Sequence, residues 1–263
     1  MAAGNVVLSL WAVVLTLAGT HLPQQRSYPA PRELTAEDVL QRTRELYPTL
    51  KSYADSGTVT EETTGFVERS RFRTYFVNAP RNYLFEYRQI ASEYKTGQRL
   101  PLTNRIVLWM LHGHLQSWHS ALNTQEEYPE GSNQVSAFVT ASSSTVGAAV
   151  LVPSLIYVKA NLSATIQELG EVTMAGVETL RGRRSYKLMG IARSVYPNGQ
   201  VTNVRPATVW IDAETFLIRQ VFTDTPKGYP AGQIYRVTVA YEPRLNPPLP
   251  DSLFTFTVPA AQQ

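Results

Sequence analysis

Six consecutive apolar residues, Ile106 to Leu111, run into His112-Gly113 and back out through Leu115 and Trp118. This stretch constrains the fold more than any other. A short apolar run closed by a turn signal describes a strand covered on both faces, or a segment of buried helix. Gly113 supplies the positive φ that a two-residue hairpin loop needs. Pairing Leu111 with His114 places Val107, Trp109, Leu111, His114, Gln116 and Trp118 on one face, because directly opposed residues share a face. Either helices of the chain or a ligand must cover such a hairpin. That alternative is the functional question.

The segments before the hairpin supply a sheet for it to join. Thr35 and Asp38 have the spacing of a capping box, and Leu34 and Val39 that of a hydrophobic staple. Val39, Leu40, Leu46, Tyr47 and Leu50 then follow helical spacing, and Pro48 marks where the helix weakens. From Tyr53 the period changes to two. Phe72, Thr74 and Phe76 share one face of a strand, and Arg69, Arg71 and Arg73 share the other, the solvent side of an antiparallel sheet. Tyr83, Phe85 and Tyr87 alternate in the next strand.

After the hairpin the strand signal stops. Residues 121–157 read as a helical and flexible insertion, with short helices over Gln134–Thr140 and around Ser154–Tyr157. An insertion of that size in a β chain is functional or disordered. Strand signals resume at Ala164 and recur through Tyr241, separated by Gly, Asn198-Gly199 and Pro-Lys-Gly turns. Leu253 to Phe256 reads as a last short strand. The layout predicts a mainly β (α+β) fold. About ten antiparallel strands curl into an unclosed barrel around an N-terminal helix and mid-chain helices.

The N-terminus points to export. Val6 to Ala18 is an uncharged apolar run of signal-peptide length, with Thr16-Leu17-Ala18 as a cleavage site. Met1 to Asn5 holds no Lys or Arg, so an uncleaved anchor is the alternative. Residues 1–18 are therefore read as a signal peptide, 19–33 as a Pro-rich linker and 34–260 as one domain. The chain has no cysteine, which excludes disulfides, thiolate metal sites and a cysteine nucleophile. A net charge of +3 is too small and too scattered to imply nucleic acid, and none is expected as a partner.

At this point the chain resembles the LolA/LolB-like periplasmic lipoprotein-carrier superfamily. The resemblance rests on the helix leading through Leu46 and Lys51-Ser52-Tyr53 into the first strand, and on Asn78-Ala-Pro-Arg-Asn82 followed by Tyr83 to Tyr87. It rests also on Leu111 to Trp118, on Val209 to Asp212 with Phe216 to Val221, and on the ending Leu253 to Pro259. It implies an open barrel with helices lidding a hydrophobic cavity, a periplasmic location peripheral to the membrane, and an acylated lipoprotein or lipid as partner. One position departs from the pattern. True carriers place an Arg immediately before the Pro of the second-strand turn, where it helps hold the lid closed; here Ala79 precedes Pro80, and Arg81 follows it.

Within that frame Phe72, Phe76, Tyr83, Phe85, Tyr87, Trp109, Leu111 and Trp118 are the expected cavity wall. Val139, Val150, Leu151, Leu155 and Ile156 are the expected lid. Three other groupings carry possible chemistry. His112, His114 and His119, with Glu126 or Glu127, suggest a metal site, but hairpin histidines are commonly polar turn residues. Ser142-Ser143-Ser144 lacks the Gly-x-Ser-x-Gly elbow of a nucleophile. Asp212 and Glu214 can pair as acid and base, although turn capping explains them better. The expected function is a non-enzymatic binding protein, without cofactor or metal, that holds a lipid or a lipoprotein acyl chain. The alternatives are an envelope sensor or protein-interaction domain with a self-filled core, and an enzyme acting on an apolar substrate.

Overall fold

The computed structural model describes residues 33–128, 145–146, 148–156, 169–195 and 201–259. The first element is α1, Ala36–Leu46, continued by a 3-10 turn at Tyr47–Thr49. Its capping box forms: Asp38 N–H donates to Thr35 Oγ1 at 3.1 Å, and Thr35 N–H donates to Asp38 Oδ2 at 2.9 Å. Ala36, Val39, Leu40 and Thr43 are its buried face.

Thirteen strands form one antiparallel sheet among the described residues. In chain order they are β1 Ser52–Thr63, β2 Phe66–Val77, β3 Asn82–Tyr94, β4 Arg99–Pro101, β5 Arg105–Leu111, β6 His114–His119, β7 Thr124–Tyr128, β8 Gly170–Leu180, β9 Arg183–Val195, β10 Val201–Asp212, β11 Ile218–Thr223, β12 Tyr235–Tyr241 and β13 Arg244–Leu245. A second helix, α2 (Ala148–Ile156), lies between β7 and β8 in sequence. The short strands β4, β7 and β13 raise the total above the ten or so that alternation indicates.

The sheet order is β7-β6-β5-β3-β2-β1-β12-β11-β10-β9-β8, with β4 beside β3 and β13 beside β1. Two meanders of neighbouring hairpins thus meet where β1 pairs with β12, and the sheet does not close on itself. Gly57 makes this central seam possible. A Cβ there would sit 2.1 Å from Ala240 O and 2.3 Å from Phe72 Cζ, so only glycine lets the two backbones and the Phe72 ring approach.

The β5–β6 hairpin has the expected register, with Leu111 opposite His114, Trp109 opposite Gln116 and Val107 opposite Trp118. His112 and Gly113 take φ of 51° and 92°, the pair of positive values that a type I′ turn requires. Asn82 steadies the turn by accepting from His112 N–H at 3.0 Å.

Three elements differ from expectation. The helix expected around Ser154–Tyr157 is α2, which begins at Ala148 and runs through Pro153. Thr124–Tyr128 is an edge strand, although its sequence, Thr-Gln-Glu-Glu-Tyr, has no apolar alternation. Backbone pairing with β6 defines it, and an edge strand carrying charge is protected against further pairing. Asp251–Phe254 is a 3-10 turn, and the described residues beyond it, 255–259, have no ladder partner. Pro248 and Pro250 supply no N–H for a sheet, and this tail attaches through its aromatic side chains instead.

Candidate functional site

Cross-strand register decides which side chains share a face. On β1, Tyr53, Asp55, Gly57 and Val59 stand opposite Phe76, Thr74, Phe72 and Ser70 of β2. Phe76, Thr74 and Phe72 in turn stand opposite Tyr83, Phe85 and Tyr87 of β3. The next neighbours on β5 are Met110, Leu108 and Ile106. This inner face continues across the seam into Tyr241, Val239, Val221, Val209 and Leu188. One apolar cluster joins all of it to Val39 and Leu40 of α1 and to Ala148, Leu151, Val152 and Leu155 of α2.

Phe72, Phe76, Tyr83, Phe85 and Tyr87 therefore come together, each no more than 2% exposed. Phe72 stacks on Phe85 with ring centroids 5.9 Å apart and meets Tyr241 edge-on at 5.5 Å. Leu151 and Leu155 are buried in the same cluster, and Ile156 packs against it half-buried. Val150 lies in α2, and Val139 falls outside the described residues.

Trp109, Leu111 and Trp118 do not belong to this wall. Phe85 stands opposite Leu108, so Trp109, one residue along, points to the other side of the sheet. Trp109 and Trp118 form a separate outer cluster with Val107, Leu84, Phe256 and Val258. The Phe256 ring lies 5.0 Å from Trp109 and 5.6 Å from Trp118, and the Arg105 guanidinium sits 5.3 Å from its centroid. The apolar run of β5 is thus covered twice: by helices inside, and outside by the C-terminal tail that had been expected as a strand.

The inner face also holds a polar group that alternation did not reveal. Asp55 is 2% exposed, and Tyr53 donates to its Oδ2 at 2.7 Å. Its Oδ1, like the Tyr241 hydroxyl, is buried without a hydrogen-bond partner. Burial pushes the Asp55 carboxyl up to about 6; Thr74 and the Tyr53 hydroxyl favour the charged form and offset part of that rise. Burial also raises the Tyr53 and Tyr241 phenols well above their ordinary range. The Tyr47 phenol, raised chiefly by burial as well, accepts from Ile218 N–H at 3.1 Å. Tyr47 thereby ties the end of α1 to β11.

The remaining candidates separate. His112 sits in the hairpin turn, and β6 places His114 and His119 on opposite faces. Among the described residues no three metal-ligating side chains converge. Ser142, Ser143 and Ser144 lie outside the described residues. Asp212 caps its turn: Oδ1 accepts from Glu214 N–H at 3.1 Å and Thr215 N–H at 2.9 Å, and Oδ2 pairs with Arg219 at 2.9 Å. Burial alone would raise the Asp212 carboxyl, but the Thr215, Arg219 and Glu214 hydrogen bonds outweigh it and hold it below the usual range. Glu214 points elsewhere, 3.6 Å from Arg183.

No protein family and no curated protein matches this sequence. Similar chain layouts occur among solved structures. Lipoprotein LppX of Mycobacterium tuberculosis is 14% identical, over 81% of this chain and 98% of its own, at a TM-score of 0.39. LprF from Mycobacterium bovis is 11% identical, over 86% and 96%, at 0.46. The Pseudomonas aeruginosa MucA/MucB complex gives 12% identity over 84% and 61%, at 0.41. These likenesses assign no activity to this chain.

Proposed function

We propose that this protein is an extracytoplasmic binding protein that takes an acyl chain, of a lipid or of an acylated lipoprotein, between α2 and the inner face of the sheet. The observation that carries the reading is the composition of the cover. Every residue of α2 except Pro153 and Ser154 is aliphatic, and Ala148, Leu151, Val152 and Leu155 are buried in the same apolar cluster as the aromatic wall. A cover of that kind presents to the wall the same chemistry as a hydrocarbon tail. Each methylene that enters gains about 0.8 kcal/mol, so a tail can replace the helix on similar terms.

The mechanism is exchange. In the described state the wall is filled by the chain itself, and ligand enters as α2 leaves. The apolar N-terminal run of residues 6–18 supports export. No helix among the described residues is long and apolar enough to cross a membrane. The resemblance to lipoprotein carriers points the same way. We read the interior as binding rather than catalytic, because its buried carboxyl, Asp55, is surrounded by phenols and apolar rings.

The second reading is a self-filled core whose surface binds an envelope protein. It is favoured by the complete burial of the five inner rings. Native mass spectrometry of protein purified without detergent separates the two. Acyl binding predicts masses above that of the polypeptide itself, the excess resolving to extractable lipid. An unliganded mass, together with no enhancement of a hydrophobic fluorescent probe, overturns it.

A further inference from the structure

The outer face of the sheet carries a second feature, independent of the acyl site on the inner face. Arg71 of β2 stands directly opposite Arg88 of β3, and Arg88 directly opposite Arg105 of β5. Three guanidiniums thus lie in one row across three adjacent strands. Arg73 is two residues along β2 from Arg71, on the same face. Like charges placed directly opposite are destabilising, so an antiparallel sheet normally alternates them with carboxylates. The neighbouring row does so, with Arg73 opposite Glu86. The Arg71–Arg88–Arg105 row does not.

Two carboxylates border the row. Glu86 pairs with Arg105, and Glu242 accepts from Ser56 Oγ at 3.3 Å. Among the described residues no carboxylate pairs with Arg71, Arg73 or Arg88. Arg105 is half-buried, and its Nε has no hydrogen-bond partner. The row lines a groove of ≈ 790 Å³, which Thr58, Ile90, Leu102 and Thr103 also border. That is the size of a small-molecule site, and it concentrates four guanidiniums against two carboxylates.

We propose that this groove binds a phosphate-type oxyanion, with Arg71 and Arg88 as its principal ligands and Arg105 as a fixed wall. Guanidinium forks match phosphate oxygens bidentately, whereas a carboxylate partner would already be present had pairing within the sheet been the purpose. Two strand spacings put Arg71 and Arg105 about 10 Å apart, so the row spans a group with two phosphates, or a phosphate with an adjoining polar headgroup. The hydroxyls of Thr58 and Thr103 add neutral donors along the same groove.

Inorganic pyrophosphate measured by calorimetry, and flotation with vesicles of phosphatidylglycerol against vesicles of phosphatidylcholine, test the site on the full chain. Wild-type protein binds pyrophosphate, or the anionic vesicles alone, and the binding weakens as salt rises. Arg71→Gln/Arg88→Gln loses about tenfold per arginine removed. Its melting temperature without ligand stays level or rises, since the substitution relieves like-charge opposition. Arg184→Gln, an equal change of charge per site on β9, leaves binding unaltered. Pyrophosphate binding identifies a soluble phosphate compound as sufficient; binding to vesicles only identifies a lipid headgroup. No binding to either probe, or equal binding by the double variant, overturns the proposal.

Discussion

Tyr53 donates a 2.7 Å hydrogen bond to Asp55, two residues along β1 on the inner face of the sheet. The bond satisfies one carboxyl oxygen and leaves the other buried without a partner. An inner face built mainly of aromatic and aliphatic side chains thus keeps a buried acid.

That acid makes stability depend on pH. The folded-state value near 6 lies above the ordinary Asp value, so the folded protein holds the proton more tightly than the unfolded chain. The stabilising contribution of the protonated form is full below about pH 4 and is lost as pH rises through about 6. Above pH 7 the loss amounts to about 3 kcal/mol. Urea unfolding at pH 4.5 and pH 7.5 measures it. The gap between wild type and Asp55→Asn should shift between the two pH values, in favour of Asn at the higher one. A gap that stays constant means that Asp55 does not titrate in this window.

Trp109 packs outside, against Phe256. Trp109→Ala is therefore expected to cost about 3 kcal/mol, as deletion of a buried ring does. Hydrophobic-probe binding per folded molecule is expected to stay unchanged. Phe256→Ala is milder, about 2 kcal/mol, because the ring is only half-buried. It should also shift tryptophan emission to the red as Trp109 and Trp118 become wetter. Reduced probe binding by Trp109→Ala in a fully folded sample would place this ring on the inner wall instead.

Gly57 is the closest approach in the sheet seam. Gly57→Ala drives a methyl into Ala240 O and the Phe72 ring. A cost of about 3 kcal/mol follows from such overpacking. Denaturant midpoints check it, and Gly65→Ala, at a turn position with open space around it, serves as the comparison expected to change little.

Much of the chamber could be read in advance, and its limits are physical. Phe72, Phe76, Tyr83, Phe85 and Tyr87 were legible because their strands alternate with Arg, Glu and Leu, which marks one face as inner. β5 has no such marker. Ile106 to Leu111 is apolar on both faces, so the sequence does not say whether Trp109 or Leu108 looks inward; only the register against Phe85 does. The covering role of Phe256 was hidden for the same reason, since an aromatic tail beside Pro residues resembles an edge strand. Asp55 was the missed signal. It sits two residues from Tyr53 and Gly57 on the inward period of β1, where an acid is conspicuous once the face is known. β7 escaped because backbone pairing, not side-chain pattern, defines it.

Displacement of α2 by an acyl chain is tested most directly by titrating a fluorescent long-chain fatty acid into wild type and Leu151→Ser in detergent-free buffer. Leu151 buries the helix in the cluster that holds the wall, so weakening it removes the competitor that the exchange mechanism invokes. The expected result is saturable binding at one site per chain, tighter in Leu151→Ser than in wild type. Absence of binding, or a Leu151→Ser variant that loses stability without any gain in affinity, would contradict the exchange mechanism.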